Sequence, residues 1–364
     1  MKELEHDVLA QPRQGSNKMT VALFGKRVIS RVAHSFRFTD KKLESAGKGT
    51  FLILMYHRVT DHSVARGLGH EGMYVGKETF DQQLRFLKSR FQVIPLEEGL
   101  EFLERKPGEN GSGRKPLCAI TFDDGWRDVY ENAYPLLVKH EVPATVFLPT
   151  GYIGTNRRFW PDRLASIVNK KASETFEEPL LSLPETDFHI PQLPESASDP
   201  KYHAAVSAMK LLREDDIEKI LCALEEKCGL NPALEERVFM DWDEVRAMRA
   251  SGLVRFGSHT ETHRILTTLS EDEITVELKG SKERLVEAGV VSPESVPFAY
   301  PNGNYTKRIA KLVRDAGYRL AVTTEKGWNP ACADPELFQL KRIGVHEDVT
   351  STDAMFCCRL AEIF

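Results

Sequence analysis

The sequence predicts an α/β fold: a distorted (β/α) barrel of about seven parallel strands with a helical insertion near the barrel mouth. Three observations carry this reading. From Thr50 onward short apolar runs alternate with helical segments, the rhythm breaks over a polar, proline-dotted stretch at 155–240, and it then resumes as far as Val345. Such alternation is the mark of a parallel sheet with crossover helices. With this many strands, closure into a barrel is favoured over a small open sheet.

Taken in order, residues 1–49 form an N-terminal extension and 50–364 the barrel domain. Residues 1–18 are polar and without period. Over 19–36, Val21, Phe24, Val28, Ile29, Val32 and Phe36 recur at helical spacing beside Lys26, Arg27 and Arg31. An amphipathic basic helix follows, which suits docking on the parent domain and, less commonly, peripheral contact with an anionic membrane. The barrel then reads as strands over 51–56, 91–94, 117–122 and 144–148, with helices over 77–90, 96–105 and 126–140. After the interruption come helices over 242–250, 271–288 and 304–316 and strands over 253–256, 296–299, 318–323 and 340–345. The interruption itself carries Pro179, Pro184, Pro191, Pro194 and Pro200 ahead of a helical run over 204–228. It separates strands that should be neighbours, so it is read as an insertion above the mouth, and Phe159, Trp160 and Arg163 at its start suit a lid or substrate-contacting element.

Composition excludes several classes of function. At 364 residues, 41% hydrophobic and 28% charged, the chain is ordinary for a soluble globular protein. A net charge of -5 gives no concentrated cation for a polyanion, so no nucleic-acid partner is expected. Six cysteines without CxxC spacing, two of them the neighbours Cys357 and Cys358, suit neither a disulfide ladder nor a thiolate zinc site. No apolar run approaches the ~20 residues of a membrane span. Lys2, Glu3, Glu5 and Asp7 open the chain where a leader would be basic and then apolar, so a cytoplasmic location is expected. No sequence signal bears on oligomeric state.

The chemistry is concentrated in two short segments. Thr121-Phe122-Asp123-Asp124-Gly125 leaves an apolar strand, and Gly257-Ser258-His259-Thr260-Glu261-Thr262-His263 leaves another, so both belong at one end of the barrel. Gly125 allows a sharp exit that lets both carboxylates face one opening, whereas a continuous strand would point them apart. The same carboxylates also suit the N-terminus of the helix beginning near Trp126, so this motif alone leaves capping and chemistry open. Two imidazoles four residues apart tip the balance. One carboxylate and two imidazoles leave coordination positions free on a divalent metal, which is a catalytic arrangement.

With those residues in hand, the chain resembles the polysaccharide deacetylase family, the NodB-homology domain of carbohydrate esterase family 4, from about Thr50 to Val345. The Thr121–Gly125 run resembles its first motif and Ser258 to His263 its second. The resemblance implies Asp123 as general base, Asp124, His259 and His263 as metal ligands, and zinc as the metal, with cobalt, nickel or manganese as alternatives. Phe298-Ala299-Tyr300-Pro301-Asn302-Gly303 is similar to the branch with FAYPxG, and Ala299 stands where other members carry an arginine that tethers the catalytic aspartate. Arg342, in Leu340-Lys341-Arg342-Ile343, is the candidate replacement. Tyr300, Pro301 and Asn302 fall at the family's substrate side, with an oxyanion-donating backbone N–H near Asn302. Met55-Tyr56-His57-Arg58 matches the opening strand of that branch and should bring His57 to the mouth. The usual acid lies in a Leu-x-His motif that this chain lacks in clean form, which leaves His346 and His57 as candidates. Trp328 is read as an apolar wall of the acetyl pocket. The implied function is removal of N-acetyl or other N-acyl groups from a carbohydrate such as a chito-oligosaccharide. Alternatives are an amidohydrolase or deformylase acting on a small or lipid-linked substrate, and an inactive carbohydrate-binding homologue.

Overall fold

A computed structural model of the chain describes residues 49–363 except 68, 71, 105–114, 173–193, 195, 198, 232–235 and 333, together with 30, 39 and 41–43. Apart from residue 30, the expected helix over 19–36 lies outside the described residues.

The chain enters through β1 (Thr50–Tyr56), β2 (Arg58–Val59), α1 (His62–Gly67), β3 (Tyr74–Val75), α2 (Lys77–Arg90), β4 (Gln92–Val93), α3 (Glu98–Leu103) and β5 (Leu117–Phe122). A π-helical turn (Val129–Ala133) runs into α4 (Tyr134–His140), and β6 (Ala144–Leu148) follows. Three helices then leave the barrel: α5 (Trp160–Ala172), α6 (Pro200–Met209) and α7 (Glu214–Lys227). The barrel resumes with α8 (Trp242–Ala250), β7 (Val254–Ser258), α9 (Glu271–Glu287), β8 (Pro297–Ala299), α10 (Lys307–Asp315) and β9 (Leu320–Val322). It closes with β10 (Asn329–Pro330), β11 (Ile343–Gly344), α11 (Glu347–Thr350) and α12 (Asp353–Leu360).

The sheet runs β10-β1-β5-β6-β7-β8-β9, with β11 also on β1 and β4 on β5. All pairings are parallel except β10 on β1. Val322 of β9 bridges Leu340, just ahead of β11, so the parallel strands β1, β5, β6, β7, β8, β9 and β11 curl into a distorted barrel. Strands covered on both faces need apolar side chains at every position. Accordingly, β6 is buried throughout and β5 from Cys118 onward. Phe51, Ile53, Ala119, Phe147, Leu320 and Val322 form the inner cluster. Leu52, Leu54, Ile120, Phe122, Val146 and Phe256 belong to the outer one, beneath the helices. This period-two parity has a functional consequence. Continuing each strand past its last residue carries His57, Asp123 and His259 inward at the same rim.

The helices begin where local chemistry satisfies their first N–H groups. Asp241 with Glu244 opens α8, and Ser270 with Glu273 opens α9, each as a reciprocal capping box. Departures from the sequence reading have similar local causes. The expected helix over 126–140 is present from Arg127 onward, with a π-helical segment inside it at Val129–Ala133; Trp126 is instead bridged to Phe239, and Arg127 N–H donates to Val238 O. The run over 204–228 is two helices: Asp199 caps α6 four residues early, with Pro200 in its first turn, and Glu214, Asp215 and Asp216 open α7 afresh. Helix α5, β10 and the two C-terminal helices have no counterpart in that reading.

Helices α5, α6 and α7 pack on one another through Leu164, Val168, Tyr202, Met209, Ile220 and Leu224, a core separate from those of the barrel. The segment is therefore a small folded cap rather than a linker. No helix among the described residues is long and apolar enough to cross a membrane.

Candidate active site and metal centre

Asp123 and Asp124 sit where β5 ends, each 2% exposed. Asp123 N–H still donates to Tyr56 O at 3.0 Å, extending the parallel ladder by one residue. Asp124 (φ 73°) and Gly125 (φ 66°) then turn left-handed in succession, which swings the second carboxylate to the same side as the first. A Cβ on Gly125 would lie 2.8 Å from Leu148 Cδ2, so both its conformation and its size are required. Thr260, His263 and Asn302 are also non-glycine residues at positive φ, at 66°, 62° and 57°. Backbone strain thus gathers at the rim that carries the polar cluster.

Arg342 is fully buried beneath Asp123. Its Nη1 donates to Asp123 Oδ1 and its Nη2 to Oδ2, both at 2.7 Å. Nη1 also reaches Thr121 Oγ1 at 3.1 Å and Nε reaches Thr323 O at 2.8 Å, so the fork is fixed on three sides. Burial works against ionisation of Asp123, but the Arg342 charge and its hydrogen bonds outweigh it and hold the carboxyl below its ordinary range. The tether on Asp123 is thus an arginine just ahead of β11, with Ala299 taking no part in it.

Asp124 divides its two oxygens. Oδ1 lies 3.4 Å from His259 Nε2 and 3.2 Å from His263 Nε2, while Oδ2 accepts from Trp126 Nε1 at 3.0 Å. His259 Nδ1 lies 2.8 Å from Ala299 O, a contact that requires the proton on Nδ1 and leaves Nε2 as the free lone pair. Among the described residues, Asp124, His259 and His263 form the one cluster whose donor atoms, all within 4.8 Å of one another, could hold a metal ion. Tetrahedral zinc with bonds of about 2.0–2.1 Å needs donors about 3.3 Å apart, so the donor set fits such an ion. Burial opposes the charge on Asp124, yet the two histidines draw its pKa well below normal. Burial likewise pushes His259 down, but Asp124, Asp123 and the Ala299 carbonyl more than compensate and its pKa is raised.

The loop carrying the histidines is pinned from below. Glu277 of α9 accepts from the N–H of Glu261 at 2.9 Å and of Thr262 at 2.8 Å, and also takes the Thr262 hydroxyl. His263 N–H donates to Thr260 Oγ1 at 2.9 Å, closing the turn between the ligands. Phe159, at the start of the cap, stacks on the His263 ring at 4.3 Å.

The remaining candidates separate into two groups. His57 is half-buried and close enough to feel the charges of Asp124, Asp123, Arg342 and His259; burial lowers its pKa, with the two carboxylates opposing. Asn302 is at the surface, where its Oδ1 accepts from Lys210 Nζ of the cap at 3.2 Å. The others are engaged with partners of their own. His346 follows β11, but its ring pairs with Asp348, while the adjacent Glu347 caps α2 through Gly76 N–H at 2.8 Å. Tyr300 is fully buried, its hydroxyl committed to Phe338 O at 3.0 Å, and Pro301 is buried beside it. Trp328 corrects the pocket-wall expectation: it adjoins Asn329, which pairs with Phe51 near the start of β1, and it donates to Leu360 O at 3.0 Å. That is the opposite end of the strand from Asp123. In the cap, Trp160 packs on the cap core and Arg163 is bound to Glu225 and Glu218, so neither offers the substrate-facing surface expected of it. Trp126, Glu277 and Arg58 were not singled out from sequence, although a buried indole N–H beside a carboxylate must find a partner.

Comparison with known proteins gives the family and the fold. The family model described as polysaccharide deacetylase matches residues 110–175 and 199–321. A poly-beta-1,6-N-acetyl-D-glucosamine N-deacetylase of Staphylococcus aureus strain N315 is 30% identical over 132 residues, 34% of this chain and 43% of that protein. The chain therefore spans less than half the length of these curated relatives. Among solved structures, a polysaccharide deacetylase from Bacillus cereus superposes with a TM-score of 0.54 at 18% identity, covering 85% of this chain and 69% of the other. IcaB from Ammonifex degensii superposes with a TM-score of 0.53 at 19% identity, covering 85% and 97%. At these identities the structural likeness speaks for the fold.

Proposed function

The chain belongs to the polysaccharide deacetylase family, and on that premise we propose that it is a metal-dependent hydrolase removing N-acetyl groups from a carbohydrate. The observation that carries this reading is the Arg342–Asp123 pair set beside Asp124, His259 and His263. A fixed, ionised carboxylate beside an open three-donor site is what water activation requires. Zinc is the first candidate for the metal. Bound by Asp124, His259 and His263, it would supply Lewis acidity to an amide carbonyl and lower the pKa of a water.

The protein's own residues account for the rest. Asp123, kept anionic by Arg342, takes a proton from the attacking water. Both of its oxygens are tied to the guanidinium, so its position changes little as the proton arrives. Glu277 holds the histidine loop, and the backbone N–H at Asn302 is the proposed donor to the oxyanion. His57 is the imidazole within range of these groups and is the proposed proton donor to the leaving nitrogen. It gives its proton to the leaving nitrogen as the carbon–nitrogen bond breaks, and is reprotonated with the proton that Asp123 has taken from water.

The substrate named for the Staphylococcus aureus relatives makes β-1,6-linked N-acetylglucosamine oligomers the first compounds to try, with chito-oligosaccharides beside them. The test is acetate release by purified protein, before and after chelation and again after zinc is restored. Release that survives full chelation overturns the metal-dependent reading. A homologue with a dead site would lack a tether for its base, and Arg342 argues against that alternative.

A further inference from the structure

Asp124 is held from a direction that its ligand role does not require. A carboxylate at the end of a strand can rotate about χ1 and χ2, and three left-handed residues around the rim add no restraint on its side chain. Trp126 supplies that restraint: its Nε1 donates to Asp124 Oδ2 at 3.0 Å, and this leaves Oδ1 aimed at the two imidazoles. The indole is 1% exposed, so nothing in solvent competes for that N–H.

The indole is itself clamped, and mostly by the cap. Phe239, on the strand returning from the cap, stacks on it at 4.7 Å with the rings 22° apart. Phe159, at the outgoing end, meets it edge-on at 5.5 Å. The backbone joins the two segments as well, with Trp126 bridged to Phe239 and Met240 N–H donating to Gly125 O at 3.0 Å. The Arg58 guanidinium lies 4.4 Å from the centre of the indole ring. Arg58 cannot drift, because Nε donates to Asp128 Oδ2 at 2.7 Å and Nη1 faces His70 Nδ1 at 3.1 Å. His70 Nε2 in turn lies 2.6 Å from Asp162 Oδ1 of α5, so the cap also reaches this side of the indole.

We propose that Trp126 is a positioning residue for the metal-ligating carboxylate of Asp124, and that the cap's two ends, by clamping its indole, are part of what shapes the metal centre. The proposal rests on reading Asp124, His259 and His263 as metal ligands. A buried indole N–H is a fixed donor, and the aromatic sandwich gives it one orientation. Outer-shell hydrogen bonds of this kind set both the direction and the affinity of a ligand.

The experiment measures metal affinity by competition with a chromophoric chelator, together with the visible spectrum of the cobalt-substituted protein. Trp126→Phe removes the N–H and keeps a ring between Arg58 and Phe239. It should weaken zinc binding about 10–100-fold and shift the cobalt spectrum. Phe239→Leu keeps the N–H but loosens the clamp, and should weaken binding by a smaller factor, in a variant less prone to misfold. Circular dichroism and thermal midpoints separate altered ligation from unfolding. Wild-type affinity and spectrum in folded Trp126→Phe overturn the positioning role, and wild-type affinity in Phe239→Leu overturns the part assigned to the cap. A wild-type protein that binds no zinc or cobalt fails the ligand assignment itself, which is a different result from either.

Discussion

The barrel rim and the cap hold their polar groups by opposite means. At the rim, His57, Asp123 and His259 are delivered by strand parity and Asp124 by the left-handed turn that follows, so their placement is a by-product of the sheet that buries Phe51, Ile53, Ala119 and Phe147 beneath them. In the cap, three helices share a core of their own, and Arg163 is spent within it on Glu225 at 2.7 Å. The difference teaches that reacting groups come from the element with the least freedom. The cap contributes orientation from outside, through Phe159 on His263 and Phe239 on Trp126.

The most severe test of this division sets one variant from each region side by side. Asp123→Asn keeps the shape of the rim and removes the base, so kcat should fall about 10²–10⁴-fold with metal content unchanged. Arg163→Ala strips two carboxylates of their partner within the cap. It should lower the thermal midpoint through hydrogen bonds worth about 1.5–3 kcal/mol each to charged groups, with a far smaller change in kcat. Equal losses of kcat in the two variants would break the division. Steady-state kinetics with metal analysis and a melting curve for each variant make the comparison.

Next in size is the effect of removing Arg342. Truncation to alanine leaves Asp123 buried without its cation, and breaking a buried pair in this way costs about 3–5 kcal/mol. The sign of the pH effect follows from the same contact. In the wild type the depressed carboxyl contributes stability above its unfolded pKa of about 3.9, and that contribution is lost as pH falls through the lower folded value. Without Arg342 burial is opposed only by His259 and His57, so the pKa rises and the acid limb of kcat/KM should move to higher pH. A pH-rate profile of Arg342→Ala that superposes on the wild type would show that Asp123 is oriented by something else.

Much of the rim was legible because its physics is local. Apolar runs bounded by Gly and Asp gave the strands, Asp123-Asp124 and His259 with His263 announced a donor set, and a buried carboxylate with no arginine at Ala299 demanded a cation from elsewhere, which Arg342 could supply. The cap was harder for a local reason too. Pro161 reads as a breaker but lies in the first turn of α5, where a missing N–H costs nothing. The clamp on Trp126 was illegible in kind, since no spacing rule places residues 58, 159 and 239 around residue 126. Trp328 and Tyr300 were misplaced because sequence proximity to a motif says nothing about which end of a strand, or which face of a sheet, a side chain will occupy.

The smallest expected effect concerns His346, and it tests whether parity alone, or also the partner an imidazole has taken, selects the acid. His57 extends β1 past Tyr56 and is carried inward, within range of both aspartates. His346 follows β11 at the same parity, since Met55 pairs with Gly344 and Val345 N–H donates to Met55 O, but its side chain is otherwise engaged. Glu347 is spent on the N-terminus of α2, through Gly76 N–H and the Thr79 hydroxyl at 2.9 Å, and the imidazole pairs with Asp348. His346→Ala should therefore behave as a surface change, within about 0.5 kcal/mol in stability and in the free energy equivalent of kcat/KM. His57→Ala should depress kcat far more and remove the alkaline limb of the pH profile. If the limb disappears in His346→Ala and persists in His57→Ala, the proton reaches the leaving nitrogen from His346, and its pairing with Asp348 does not withhold it.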